Sequence, residues 1–160
     1  MNKIKQITRN CTLSILAAVS CFAFTGCYYD VPITSKPSGE MDARLLGHWT
    51  SQDGKIKLKV VKLNNENYIV ANTDGKLYRA WRSDVADTPF FTVLHLETEK
   101  PKYSYWAWEL SDDGTQMVRI VNHELVPDDT KDSASVRKLL RENLKNSALF
   151  GDEIQLTKVK

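Results

Sequence analysis

The sequence predicts a mainly β domain: antiparallel, about eight strands closing into a barrel, with one amphipathic helix before the last strand. Three observations carry this. Turn signals recur at short intervals, with Asp53-Gly54, Asp74-Gly75 and Asp113-Gly114 each flanked by strand-like residues. Asp-Gly suits hairpin turns because both central residues can take positive φ. The segments between the turns are rich in alternating, β-branched and aromatic residues. A helical period occurs once, near the carboxyl end.

Taken in order, the predicted strands cover 45–51, 55–63, 67–72, 76–83, 90–97, 103–110, 115–122 and 153–159. Lys55-Ile56-Lys57-Leu58-Lys59-Val60 alternates cleanly, which turns Ile56, Leu58 and Val60 to the core and the lysines to water. Val60-Val61 breaks that alternation and suggests a bulge. Trp106, Trp108 and Leu110 share one strand face, and Tyr103 and Tyr105 the other. Asn64-Asn65 and the Pro101 region supply further turns. Val136, Leu139, Leu140 and Leu144 recur at i, i+3, i+4 and i+8 on one helix face. Asp132 or Ser133 suits its start, and Asn146 and Gly151 its stop. Eight strands can close so that the last pairs with the first, which removes the exposed edges.

Gly47-His48-Trp49 in the first strand resembles the Gly-x-Trp of the lipocalin and fatty-acid-binding (calycin) barrels. The element order is similar too, with a helix before a late strand. The resemblance implies a basic residue from a late strand lying over the tryptophan. Lys158 holds the matching place, where the family has arginine.

The chain begins with Lys3, Lys5 and Arg9, followed by an uncharged run from Cys11 to Phe24. A basic start and a short apolar run read as a signal peptide, since a permanent span needs roughly 20 apolar residues. Phe24-Thr25-Gly26-Cys27 then resembles the lipobox of bacterial lipoproteins, with Phe24 where leucine is usual. The resemblance implies cleavage before Cys27, diacylglycerol on its thiol and acylation of the new amine, palmitate being a typical chain. Acyl chains at about 0.8 kcal/mol per buried methylene would anchor the protein to the membrane. In that family an aspartate after the cysteine retains the protein in the inner membrane. Tyr28 stands there, which implies the outer membrane, facing the periplasm, in a Gram-negative host. The whole chain also resembles small bacterial lipoproteins of unassigned function.

The expected organisation is a signal peptide over 1–26, the lipidated Cys27 with a flexible tether over 27–40, and the barrel over 41–160. Pro32, Pro37, Ser35, Ser38 and Gly39 are the reason for reading 28–40 as extended, unpacked chain. Removing the signal lowers the basic residues from 22 to 19 against 20 acidic ones, so the net charge becomes −1 rather than +2. That argues against nucleic acid as a partner. Cys11 and Cys21 would leave with the signal, and the body has no thiol for a disulfide, a zinc site or a nucleophile.

No catalytic cluster is recognisable. His48, His95 and His123 lie on separate strands or strand ends, without the spacing of a metal site. No metal or cofactor is expected. The polar stretch 82–87 reads as a loop. Asp84 and Asp87 there are either an acid/base pair or, more simply, loop carboxylates with a local Arg82 ion pair. Ser83 lacks the setting of an esterase nucleophile. Arg119, between Val118 and Ile120, is expected to face outward. Trp49, Trp81, Trp106 and Trp108 are the candidate ligand-binding residues, lining a cavity for an apolar ligand or else filling a solid core. Two non-enzymatic functions follow: a binding module for a small apolar or lipid-like ligand, or a filled barrel serving as a structural or protein-interaction module of the cell envelope.

Overall fold

The computed structural model describes residues 28–159. The signal, the lipobox and Cys27 lie outside the described residues. Eight strands form one closed antiparallel barrel in chain order: β1 (Gly47–Ser51), β2 (Lys57–Lys62), β3 (Asn67–Asn72), β4 (Leu77–Val85), β5 (Thr88–His95), β6 (Lys102–Leu110), β7 (Thr115–Val121) and β8 (Phe150–Lys158). Trp49, Thr50 and Ser51 pair with Lys158, Thr157 and Leu156 and close it. The architecture is consistent with a calycin-like barrel. Helix α1 (Ser133–Asn143) precedes β8, and a short 3-10 helix, Ala43–Leu45, precedes β1.

The turns explain the closure. Gly54, Gly75 and Gly114 all take positive φ, and each amide donates back to the carbonyl three residues earlier. The preceding aspartates stay in ordinary conformations, so glycine alone carries the left-handed position. In the second and third of these hairpins, a type I turn followed by left-handed glycine makes a three-residue loop. The stretch 82–87 differs from its reading as a polar loop. β4 runs on to Val85, and only Ala86 and Asp87 turn, both at positive φ. A two-residue turn with that geometry matches strand twist and lets the ladder continue to its end.

No bulge occurs at Val60–Val61. Val60 pairs with Val70 and Val61 with Ile69 in unbroken register, leaving Val61 exposed on the outer wall. The irregularity lies at Ile120/Val121, beside the start of β8. β8 begins at Phe150, three residues earlier than expected, and Leu45 and Leu46 belong to the 3-10 turn rather than to β1.

Two cores result. Inside the barrel lie Trp49, Leu58, Val60, Tyr68, Val70, Tyr78, Phe91, Val93, Trp106, Trp108, Val118 and Leu156. Outside it, α1 covers the wall with Val136 and Leu140, each worth about 1.5–3 kcal/mol of burial. Asp132 caps the helix by accepting from the Ser135 amide. Tyr29, Ile33, Phe90, Tyr105, Val126 and Leu149 complete this outer core.

The segment 28–40 is therefore not unpacked chain. Tyr29 exchanges two 2.9 Å backbone hydrogen bonds with Tyr103, and its ring stacks on Tyr105 at 3.9 Å. Tyr105 donates to the Val31 carbonyl, and Tyr29 to the Val126 carbonyl. The prolines that suggested a tether fix extended backbone, which also suits lying flat on a sheet. Tyr29, Val31 and Ile33 alternate, and their shared face is the one that is buried.

Candidate pocket at the plugged end of the barrel

The 3-10 helix closes the end of the barrel where β1, β3, β5 and β7 begin. Three contacts fix it. The Trp49 indole Nε1 donates to the Leu45 carbonyl at 2.9 Å. Lys158 Nζ lies 5.3 Å above the Trp49 ring and donates to the Arg44 carbonyl at 3.1 Å. Tyr68 Oη accepts from the Asp42 amide at 2.6 Å. Lys158 thus occupies the place expected of the basic residue over the Gly-x-Trp tryptophan. Gly47 makes room for it: its φ is +132°, and a Cβ there would stand 2.7 Å from Lys158 Cε. Burial raises the Tyr68 phenol above its usual range, so it stays protonated.

Beside this plug is a pocket of about 230 Å3. Leu45, Tyr68, Phe91 and Trp108 from the inner core line it together with four charged residues, Glu40, Asp42, Arg44 and Arg82. Arg44 donates to Asp42 through two parallel bonds, Nε to Oδ1 at 3.0 Å and Nη2 to Oδ2 at 2.7 Å, which holds the Asp42 carboxyl below its usual range. Arg82 donates from Nε to Asp84 at 2.7 Å. Two buried groups here lack partners among the described residues: Trp108 Nε1, and both amide atoms of Gln116. Gln116 is fully buried. Its cross-strand neighbour is Leu110, and Trp108 pairs with Val118 one step further on, so the two side chains stand diagonally on one inner face. An unpaired buried amide or indole N–H costs about 1–3 kcal/mol.

The four tryptophans separate. Trp49, Trp106 and Trp108 are inside the barrel, 1–5% exposed, and of the four only Trp108 lines this pocket. Trp106 and Trp108 meet edge to face at 6.2 Å, Phe91 meets Trp108 at 5.1 Å, and Tyr78 meets Trp106 at 6.0 Å. This aromatic chain fills the middle of the barrel. Trp81 is on the outer wall. Its indole donates to the Thr34 carbonyl at 3.1 Å, and Arg79 lies 5.2 Å over its ring. One residue of offset from Ala80 decides this, because successive side chains in a strand face opposite ways.

The remaining candidates are dispersed. His48 is exposed on the outer wall and His123 is exposed beyond β7. His95 is at the opposite end of the barrel, with Nε2 2.8 Å from Ser104 Oγ. Burial, helped by Lys76, pushes its pKa down to about 4. No three metal-ligating side chains come together among the described residues. Asp84 is paired with Arg82, while Asp87 is in the turn, so the two carboxylates form no matched pair. Ser83 is buried in a hydroxyl chain, 2.7 Å from Thr34 and 2.8 Å from Thr92. Arg119 faces outward as expected, paired with Glu109 and, at 3.4 Å, with Glu153. An open groove of about 520 Å3 runs over the outer wall across β1 and β2, past His48, Lys57, Lys59 and Val159.

Sequence reasoning did not single out Tyr68, Phe91, Asp42 or Gln116. Gln116 had a signal: it is polar in the same alternating register as Val118 and Ile120. No family model, curated protein or solved structure matches the chain.

Proposed function

We propose that the protein is a lipid-anchored lipoprotein of the cell envelope, acylated at Cys27, whose barrel is a non-enzymatic binding module for a small ligand. In a Gram-negative host it would sit on the outer membrane, facing the periplasm. The observation that supports binding is the pocket beside the plug, with Trp108 in its lining and the indole N–H of that residue buried without a partner among the described residues. The donors in the lining are the terminal nitrogens of Arg82, with the Trp108 indole close by, set against the carboxylates of Glu40 and Asp42. The donors favour an acceptor, such as a carboxylate, on an apolar body.

Volume narrows the ligand. About 230 Å3 is the share of roughly eight waters, hence roughly eight to ten non-hydrogen atoms. A long acyl chain does not fit, because Trp49, Trp106, Val118 and Leu156 occupy the barrel beyond. Of the small apolar or lipid-like ligands, a short one is therefore the better fit.

Titration of the purified protein with hexanoate, octanoate and palmitate tests this. The short acids should shift the Trp108 indole N–H resonance, and palmitate should not. No shift with any acid at millimolar concentration would refute the binding reading.

A second reading has its own support. The aromatic chain fills the barrel, which suits a structural or protein-interaction module of the envelope presenting its outer wall. The groove over β1 and β2 is the natural partner face. Cross-linking in intact cells should then capture one dominant protein neighbour, through Lys57 or Lys59. Acylation has a separate test: incorporation of a radioactive fatty acid, lost in Cys27→Ser.

A further inference from the structure

The amino-terminal segment joins the barrel at the end opposite the 3-10 plug. Tyr29 is 1% exposed and is paired with Tyr103, the second residue of β6. β6 begins at this end, β4 also begins here, and β5 finishes here. Residue 27 is only two positions before Tyr29, so at most about 7 Å of chain separates them. A fully packed residue that close to the attachment point removes the slack of a tether.

This same end carries exposed apolar side chains. Tyr28, Leu77 and Leu96 are 40%, 43% and 45% exposed. Leu77 and Leu96 are cross-strand neighbours, joined by a 3.1 Å hydrogen bond from the Leu96 amide to the Leu77 carbonyl. The Tyr28 ring meets His95, the residue before Leu96, edge-on at 4.6 Å, and His95 in turn meets Tyr78 at 4.9 Å. The three thus stand round one rim. The charged residues beside them are of both signs: Lys76, Lys100 and Lys102 against Asp74, Glu97 and Glu99, with Asp30 paired to Lys102.

We infer that this rim is a bilayer-contact surface: Tyr28, Leu77 and Leu96 sit in the headgroup region, and the plugged end with its pocket faces away from the membrane. The inference rests on the acylation of Cys27 proposed above. The occupant is a lipid surface because the chain length to residue 27 brings the acyl chains to this rim. Apolar side chains flanked by charges of both signs suit the zone where interfacial segments bury about 5–10 Å deep. Mixed charge also makes the contact independent of anionic lipid and of salt.

The test uses the full-length protein purified from cells and reconstituted in phosphatidylcholine vesicles, with and without phosphatidylglycerol. Acylation blocks the Cys27 thiol, so Leu96→Cys carries an environment-sensitive fluorophore at the rim, and Asp112→Cys carries one at the plugged end. Mass spectrometry of the amino-terminal peptide and vesicle flotation are read on the same samples. Expected are a blue shift and loss of emission to a lipid-borne quencher for the Leu96→Cys label only, unchanged by salt or anionic lipid. Adding Tyr28→Ser and Leu77→Ser should lessen that quenching while flotation persists. An acylated, floating protein whose rim label stays aqueous, or whose two labels are quenched alike, overturns the docking and leaves the anchor intact. Quenching that vanishes in high salt overturns the apolar contact. A free Cys27 with no flotation sinks the anchor and the docking together.

Discussion

The inner core of the barrel and the outer core beneath the amino-terminal segment are built from the same kinds of residue, and they treat polar atoms differently. In the outer core Tyr29 and Tyr105 find carbonyl partners at Val126 and Val31, and on the outer wall beside it Trp81 finds one at Thr34. Ser133 and Arg137 add bonds to Pro32 and Ile33. In the inner core Trp49 is satisfied by Leu45, yet Trp108 and Gln116 have no partner among the described residues. A layer that satisfies its polar atoms is finished as structure. A layer that leaves an indole and an amide unpaired, next to a pocket, has capacity for another group.

The comparison can be broken at several points. Trp49→Ala should have the largest effect, about 3–5 kcal/mol by urea unfolding, since it empties the plug contact of Leu45 and Lys158. Leu140→Ala should cost about 2–5 kcal/mol. A loss well under that would mean that α1 is an ornament rather than part of the second core. The next effect depends on pH. His95 titrates near 6.5 when unfolded and about 4 when folded. Between those values the unfolded chain holds more protons, so the stability due to the neutral ring is complete above pH 6.5 and falls away toward pH 4. With allowance for the ring's partial exposure, the loss should be roughly 1–3 kcal/mol, and His95→Gln should flatten it.

Smaller changes sharpen the contrast. Tyr29→Phe should cost about 1 kcal/mol, because it leaves the buried Val126 carbonyl unpaired. Gln116→Met, of similar volume, should leave stability unchanged or slightly raised, since it removes an unsatisfied amide. A measured loss above about 1 kcal/mol would show that this amide is bonded after all, and that the inner core is as finished as the outer.

Much of the fold was legible in the residues. Local chemistry set the hairpin turns through Gly75 and Gly114, and alternation set the facing of Leu58, Val60, Trp106 and Trp108. The helix face through Val136 and Leu140 followed from its period. The pocket was less legible. The expected tryptophan site scattered because one position along β4 puts Trp81 outside, a question of register that alternation alone does not anchor. Asp42 and Tyr68 are 26 residues apart, and nothing local announces their contact.

What the chain determined by itself is what depends on neighbours within a few residues: the Asp-Gly turns, the Asp132 cap and the alternation within each strand. Closure decided the rest. Pairing β8 to β1 brought Lys158 over Trp49, and the outer wall gave Tyr29 and Ile33 a surface to cover. A proline-containing segment such as 28–40 is equally extended in solution or on a sheet. Only burial of its alternating apolar face, available once the barrel exists, chooses between them.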